Sequence, residues 1–236
     1  MEKLKINFNF KKILIFFSFF LAILVGISLL PYFRLAQIEI SGMEIVKEEE
    51  ATHLLQEPLG KPMVFLLASP KRERLMQHPW IKEAEITYVF PNRMEIAIVE
   101  REILAYLPYY GNLMAVSADG TALTICQDLP RLELLFSGLE LPFLAIGEKI
   151  PGAELMQDLQ EIVAKMDDHF RDMVSEIRYS EGYFYLHTTD RYKIRVDQEI
   201  TEQQLNDMRT VIVFMRGQKI KGTVVLQGDK PVFLPD

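Results

Sequence analysis

The stretch Ile81-Lys-Glu-Ala-Glu-Ile-Thr-Tyr-Val-Phe-Pro-Asn-Arg-Met-Glu-Ile-Ala-Ile-Val-Glu100 decides how the first half of this chain folds. Ala84, Ile86, Tyr88 and Phe90 alternate with Glu83, Glu85 and Thr87. After Pro91-Asn92, Met94, Ile96 and Ile98 alternate with Arg93, Glu95 and Ala97. A period of two on both sides of a turn predicts a β-hairpin with one buried face.

Moving toward the N-terminus, Trp80 reads as a packing anchor, and Pro79 stops a short helix in which Leu75 and Met76 face inward. Ser69-Pro70 offers that helix a hydroxyl cap followed by a proline where no amide hydrogen is needed. Val64-Phe65-Leu66-Leu67 is expected to be buried. Lys47 to Gln56 carries only Ala51, Leu54 and Leu55 as apolar positions, a small helix with a narrow stripe. Leu35 to Ser41, with Ile38 and Ile40 on one face, reads as a strand that Gly42 ends. The order is β-α-α-β-β.

Before that strand lies Ile13 to Leu30, an uncharged run of mostly Ile, Leu and Phe. At about 1.5 Å rise per residue such a run crosses the hydrocarbon core of a bilayer. It ends in Leu30-Pro31-Tyr32-Phe33 rather than a small-residue cleavage site, so it reads as a retained span. Lys3, Lys5, Lys11 and Lys12 precede it and Arg34 follows closely, which keeps the N-terminus in the cytoplasm. Ser18, Ala22 and Gly26 recur every four residues, a small-residue stripe of the kind that lets helices approach in lipid.

C-terminal to the hairpin a second region opens. Leu104 to Leu107, Leu113 to Val116 and Ala122 to Cys126 read as strands, the last two joined by an Asp119-Gly120 turn. Leu132 to Phe136 is a further strand. Pro151-Gly152 introduces one long helix with Leu155, Leu159, Ile162, Val163, Met166 and Phe170 on its apolar side, leaving Asp167-Asp168 solvated. Three strands follow, at 174–179, 183–188 and 193–196. Thr201 starts a helix with a capping box to Gln204 and an Ile200–Leu205 staple; Leu205, Met208, Ile212 and Met215 form its stripe and Gly217 ends it. Gly222 to Leu226 and Val232-Phe233 close the chain as strands. The fold class is α+β: one transmembrane helix, a β-α-α-β-β domain, then a mixed α/β region with an antiparallel sheet and two long helices. The expected boundaries are 1–12 cytoplasmic tail, 13–33 span, 34–102 first domain and 103–236 second domain.

The net charge of −7 hides a division. The first 34 residues carry five basic groups and one acidic, so the rest carries eleven excess negative charges. That surface is poorly suited to phosphate backbones or anionic lipid, which argues against nucleic-acid binding. One cysteine, Cys126, allows no internal disulfide and reads as an inert thiol in an apolar strand. His53, His78, His169 and His187 stand singly, without ligand spacing, so no metal or cofactor is expected. No nucleophile motif or phosphate loop occurs, and no catalytic residue is assigned.

The span, then Ile38-Glu-Ile-Ser-Gly42, His78-Pro-Trp-Ile81, Tyr88-Val-Phe-Pro91 and Val99-Glu-Arg-Glu102, in this order, resembles the POTRA domain of the FtsQ/DivIB family of bacterial cell-division proteins. The Leu113 to Ala122 segment and Gly222-Thr-Val-Val-Leu226 resemble that family's following β domain. Val225 and Gly228 depart from its pattern, standing where an aspartate and an aromatic are often found. The resemblance implies a non-catalytic divisome scaffold in the plasma membrane at the septum. Its implied partners are small single-pass coiled-coil proteins of the FtsB/DivIC and FtsL type. They would bind an edge strand made of Thr223, Val224, Val225 and Leu226, with Gln227, Gly228, Val232 and Phe233 beside it. The resemblance also implies recruitment through the second POTRA strand, here Glu83, Ile86 and Tyr88. Two other readings of the chain are a membrane-anchored cell-envelope enzyme and a POTRA-type assembly factor for outer-membrane proteins.

Overall fold

In the computed structural model, residues 10–56, 59–130, 133–197 and 199–235 are described. Lys3 and Lys5 of the basic flank, and Leu132 of the expected strand, lie outside them. The chain divides into two units, 1–100 and 101–236.

The first unit begins with helix α1, Phe10–Ser28, uncharged after Lys12 and the one helix among the described residues long and apolar enough to cross a membrane. It stops two residues before the apolar run does, and a 3₁₀ turn at Pro31–Phe33 follows. Then come β1 (Gln37–Ser41), α2 (Glu48–Leu55), α3 (Met63–Leu66), α4 (Lys71–Leu75), β2 (Ile81–Val89) and β3 (Arg93–Glu100). The strands form a sheet in the order β1-β3-β2, with β1 parallel and β2 antiparallel to the middle strand. Ala84, Met94, Ile96 and Ile98 from the hairpin meet Ala51 and Leu55 of α2, Met63 and Leu66 of α3 and Leu75 of α4 in one core. The alternation read in the sequence is thus the inward face of the sheet.

Three local expectations fail here. Of Val64 to Leu67 only Leu66 is buried, because α3 is a single turn and turns just Met63 and Leu66 inward. Met76 is exposed, since the helix has ended at Leu75. The cap position of α4 is Pro70, one residue later than the Ser69 cap that the sequence suggested. Lys71 holds this turn: it is buried, and its ammonium donates to the Leu66 carbonyl and, at 3.1 Å, to the Tyr88 hydroxyl, which itself donates to the same carbonyl.

The second unit carries β4 (Ile103–Tyr109), β5 (Asn112–Ser117), β6 (Ala122–Cys126), β7 (Leu135–Ser137), α5 (Ala153–Ala164), α6 (Asp168–Met173), β8 (Val174–Ser180), β9 (Tyr183–Thr188), β10 (Lys193–Val196), α7 (Glu202–Gln218), β11 (Gly222–Gln227) and β12 (Lys230–Pro235). Its nine strands make one sheet in the order β12-β11-β10-β9-β8-β7-β4-β5-β6. The sheet is mixed: β4–β7, β7–β8 and β10–β11 run parallel within an otherwise antiparallel array. The long helix expected over 155–170 is two helices, since Asp167 accepts a bond from the Phe170 amide and caps a new start. Asp167 also pairs with Arg209, so it is more than a solvated side chain. The capping box Thr201–Gln204 forms as expected. Helix α7 runs past Gly217 to Gln218, and Lys219 takes the left-handed conformation at its end. Cys126 is half-exposed at the end of β6, not buried within it. Met156, Leu159 and Ile162 of α5, Leu205, Met208 and Ile212 of α7, and Phe136, Ile177, Phe184, Leu186 and Val224 of the sheet share one core.

Candidate functional site: a free sheet edge

The last two strands form a hairpin whose loop is two residues, Gly228 and Asp229. Gly228 has φ +63°, the first-position glycine that a tight hairpin turn demands. The turn is steadied by Gln204 of α7, whose amide donates to Asp229 at 3.4 Å. Gly222 at the other end is needed for a different reason: a Cβ there would sit 2.2 Å from the Leu234 carbonyl oxygen. The absence of a side chain is what lets β12 close onto β11.

This hairpin corrects the expected edge. β11 is flanked by β10 on one side and β12 on the other, so Thr223 to Val225 have partners on both sides and Leu226 on the β12 side. Val224 is fully buried and Val225 nearly so. Val224 belongs to the core, and Val225 lies on the opposite face, beneath Val232. Among the described residues the sheet has two borders, β6 and β12, and it is to β12 that Val232 and Phe233 belong.

Its capacity can be worked out from the register. In a two-residue hairpin the residues flanking the loop form a hydrogen-bonded pair, and bonded and non-bonded pairs then alternate. Lys230, Val232 and Leu234 therefore spend their backbone groups on Gln227, Val225 and Thr223. Pro231, Phe233 and Pro235 turn theirs outward. Two of these are prolines, so the edge offers three carbonyls and a single N–H, that of Phe233. On the side-chain level Phe233 packs against the core while Val232 and the exposed Leu234 lie on the opposite face.

The other predicted residues are separated. On β2, Glu83 is exposed, whereas Ile86 and Tyr88 are half-buried against the first core. A groove of about 620 Å³ runs along this second edge, between Arg72 and Glu73 of α4 and Glu83, Glu85, Ile86 and Tyr88. Ser18, Ala22 and Gly26 share one exposed face of α1. Among the described residues no group of histidines, cysteines and carboxylates is placed to hold a metal.

Sequence reasoning missed two carboxylate clamps. Glu100 accepts bonds from the amides of Glu44, Ile45 and Val46, the last at 2.7 Å. Burial pushes its carboxyl up, but those three donors outweigh it and hold it below the usual range. Asp119 accepts from Ser117 and Thr121 and faces Arg101 at 3.3 Å and Lys149 at 3.7 Å. Burial again pushes upward, and these bonds and charges bring the group down to about 2. Glu100 and Arg101 were legible only as part of a motif; the loops they grip are remote in sequence.

A strand, three short helices where two were expected, and a hairpin, all behind one apolar helix, define a class. Residues 33–101 match the family described as "POTRA domain, FtsQ-type", so the first unit is a POTRA domain of that type. A cell division protein DivIB of Clostridium acetobutylicum is 29% identical over 56% of this chain and 53% of its own. A cell division protein FtsQ of Geotalea daltonii is 26% identical over 64% of this chain and 56% of its own. The chain spans about half the length of the curated relatives it matches. The major extracytoplasmic domain of DivIB from Geobacillus stearothermophilus overlaps 50% of this chain and 96% of its own, at 16% identity and a TM-score of 0.35. Residues 33–101 are thus an FtsQ-type POTRA domain, and beyond them the chain is similar to curated bacterial cell division proteins named DivIB and FtsQ.

Proposed function

We propose that this protein is a non-enzymatic, single-span scaffold of the division machinery. Its N-terminus is cytoplasmic, residues 13–33 cross the plasma membrane, and both later units, 34–102 and 103–236, work outside it at the septum. Its partners are small single-pass coiled-coil proteins of the FtsB/DivIC and FtsL type, and they dock by adding a strand to β12. The observation that carries this reading is the unpaired edge itself. A border of open carbonyls with apolar Val232 and Leu234 beside it supplies backbone bonds for affinity and side chains for selection. Because Pro231 and Pro235 donate nothing, a partner strand must supply most of the N–H groups, which restricts the registers that fit. Recruitment through the β2 edge, with Glu83 at its rim, and helix contact through Ser18, Ala22 and Gly26 complete the proposal.

The test is co-purification of the coiled-coil partner with full-length protein carrying Val232→Glu. The variant is expected to lose the partner while keeping its fold, since Val232 is on the open face. Full-strength capture by a folded variant places the contact elsewhere. Depletion in growing cells gives a second readout, with filaments lacking septa expected.

A further inference from the structure

The four residues Val64 to Leu67 should be buried by composition, yet three of them face water. Leu59 is 63% exposed, Val64 40%, Phe65 63% and Leu67 53%, against 1% for Met63 and Leu66 on the inner side of the same turn. Scattered surface leucines need no explanation, but four large apolar side chains within nine residues form a patch. Its position in the chain identifies what covers it. The Leu35 amide donates to the Lys61 carbonyl and the Gly60 amide to the Leu35 carbonyl, both at 2.8 Å, and Arg34 bridges Pro62. The patch is therefore sewn onto residues 34–35. Only 29–34 separate Leu35 from the end of α1, and three of those residues are coiled in the 3₁₀ turn. Six residues fully extended reach about 20 Å, and a 3₁₀ turn shortens that.

A second segment converges on the same place. The Ala36 amide donates to the Asn92 carbonyl at 2.8 Å, which brings the tip of the β2–β3 hairpin to the start of β1. At that tip Phe90 is 59% exposed. Two segments far apart in sequence thus present aromatic and aliphatic side chains where the chain leaves the apolar helix, with Arg34 and Lys61 among them. Apolar bodies with basic side chains alongside are the composition of a surface that rests in the headgroup region of a bilayer.

We infer that Leu59, Val64, Phe65, Leu67 and Phe90 form a membrane-resting face of the POTRA domain, seated in the lipid interface beside its own anchor. The face continues the lipid contact of α1, and it fixes the domain close to the bilayer instead of leaving it on a free tether. The inference rests on reading residues 11–28 as a membrane anchor.

The test uses the full-length chain with Cys126→Ser, labelled with an environment-sensitive dye at Phe65→Cys, Phe90→Cys or, as control, Lys82→Cys. Lys82 is exposed at the far end of β2 from Phe90. The protein is reconstituted in phosphatidylethanolamine–phosphatidylglycerol vesicles, with and without shallow nitroxide-bearing lipid, and iodide serves as the aqueous quencher. Expected is a roughly twofold or greater loss of emission with nitroxide lipid at 65 and 90, and iodide quenching only at 82. Adding Phe65→Glu and Leu67→Glu should return the label at 90 to iodide. Labels at 65 and 90 quenched by iodide as strongly as at 82 overturn the inference. So do labels shielded from iodide but untouched by nitroxide lipid, which mark a second copy of the chain as the cover. If carbonate extracts the protein from the vesicles, the anchor itself is wrong and the inference falls with it.

Discussion

One edge of the first sheet, β2, and one edge of the second, β12, differ sharply in character. β2 borders the first sheet with nine residues, no proline, and the charged side chains of Lys82, Glu83 and Glu85. A register irregularity at Ile81–Glu83 twists its start away from the ladder. β12 borders the second sheet with an uncharged Pro231-Val-Phe-Leu-Pro235, guarded by the prolines at its outward positions. Charge and irregularity discourage any added strand; prolines discourage most registers and spare one. The comparison teaches that exposure of an edge is not the same as availability: β12 leaves a single outward N–H, that of Phe233, among its open carbonyls.

The sharpest way to break this contrast is Ile86→Asp on β2. Ile86 packs on the core with Ala84 and Tyr88, so an unpaired carboxylate there should cost the first unit roughly 2–4 kcal/mol. The measurement is its urea transition. A variant that unfolds at the wild-type midpoint but is no longer recruited would make Ile86 a recruitment contact and not a core residue. Next in size is Val232→Glu on β12. It should weaken capture of the coiled-coil partner at least tenfold, about 1.4 kcal/mol, with both urea transitions unmoved.

Acid provides a smaller effect that separates the two units. Each has a depressed, partly buried carboxylate, Glu100 in the first and Asp119 in the second; Asp167 of the second, held down by the Phe170 amide and Arg209, is exposed to solvent. A group whose folded value lies below its unfolded one binds fewer protons when folded. Its stabilisation is therefore present at neutral pH and lost as pH falls through the folded value. For Asp119 the loss runs from the ordinary aspartate value near 3.8 down to about 2. Asp119→Asn should flatten the pH dependence of the second transition in that window, and Glu100→Gln should flatten only the first. Unchanged slopes in both variants would mean that other carboxylates govern acid stability.

How much of this was legible in the sequence depends on how far apart the cooperating residues lie. The hairpin over 81–100, the capping box at Thr201 and the apolar helix are local patterns, and each stands where its period puts it. The break at Asp167 was hidden because Met166 and Phe170 keep helical spacing across it. The edge was misplaced because pairing is not local: nothing near Val225 says that β10, thirty residues earlier, lies parallel beside it. The burial of Val64 to Leu67 failed for a third reason, as composition identifies an apolar face without naming the medium it meets.

The smallest expected effect tests the proline argument directly. Pro231→Ala keeps the register of β12 and removes no buried contact of size, so the second urea transition should move by no more than about 0.5 kcal/mol. What it adds is an outward N–H beside that of Phe233, doubling the donors on the edge. Two such edges can then pair with each other, each N–H meeting a carbonyl across an antiparallel seam. Self-association of the full-length protein, followed by light scattering in detergent as concentration rises, should therefore increase while thermal stability stays level. Adding Pro235→Ala should increase it further, because the third outward position then donates as well. If neither variant associates more than wild type, the prolines are not what keeps this edge single, and its selectivity must come from the side chains of Val232 and Leu234 alone.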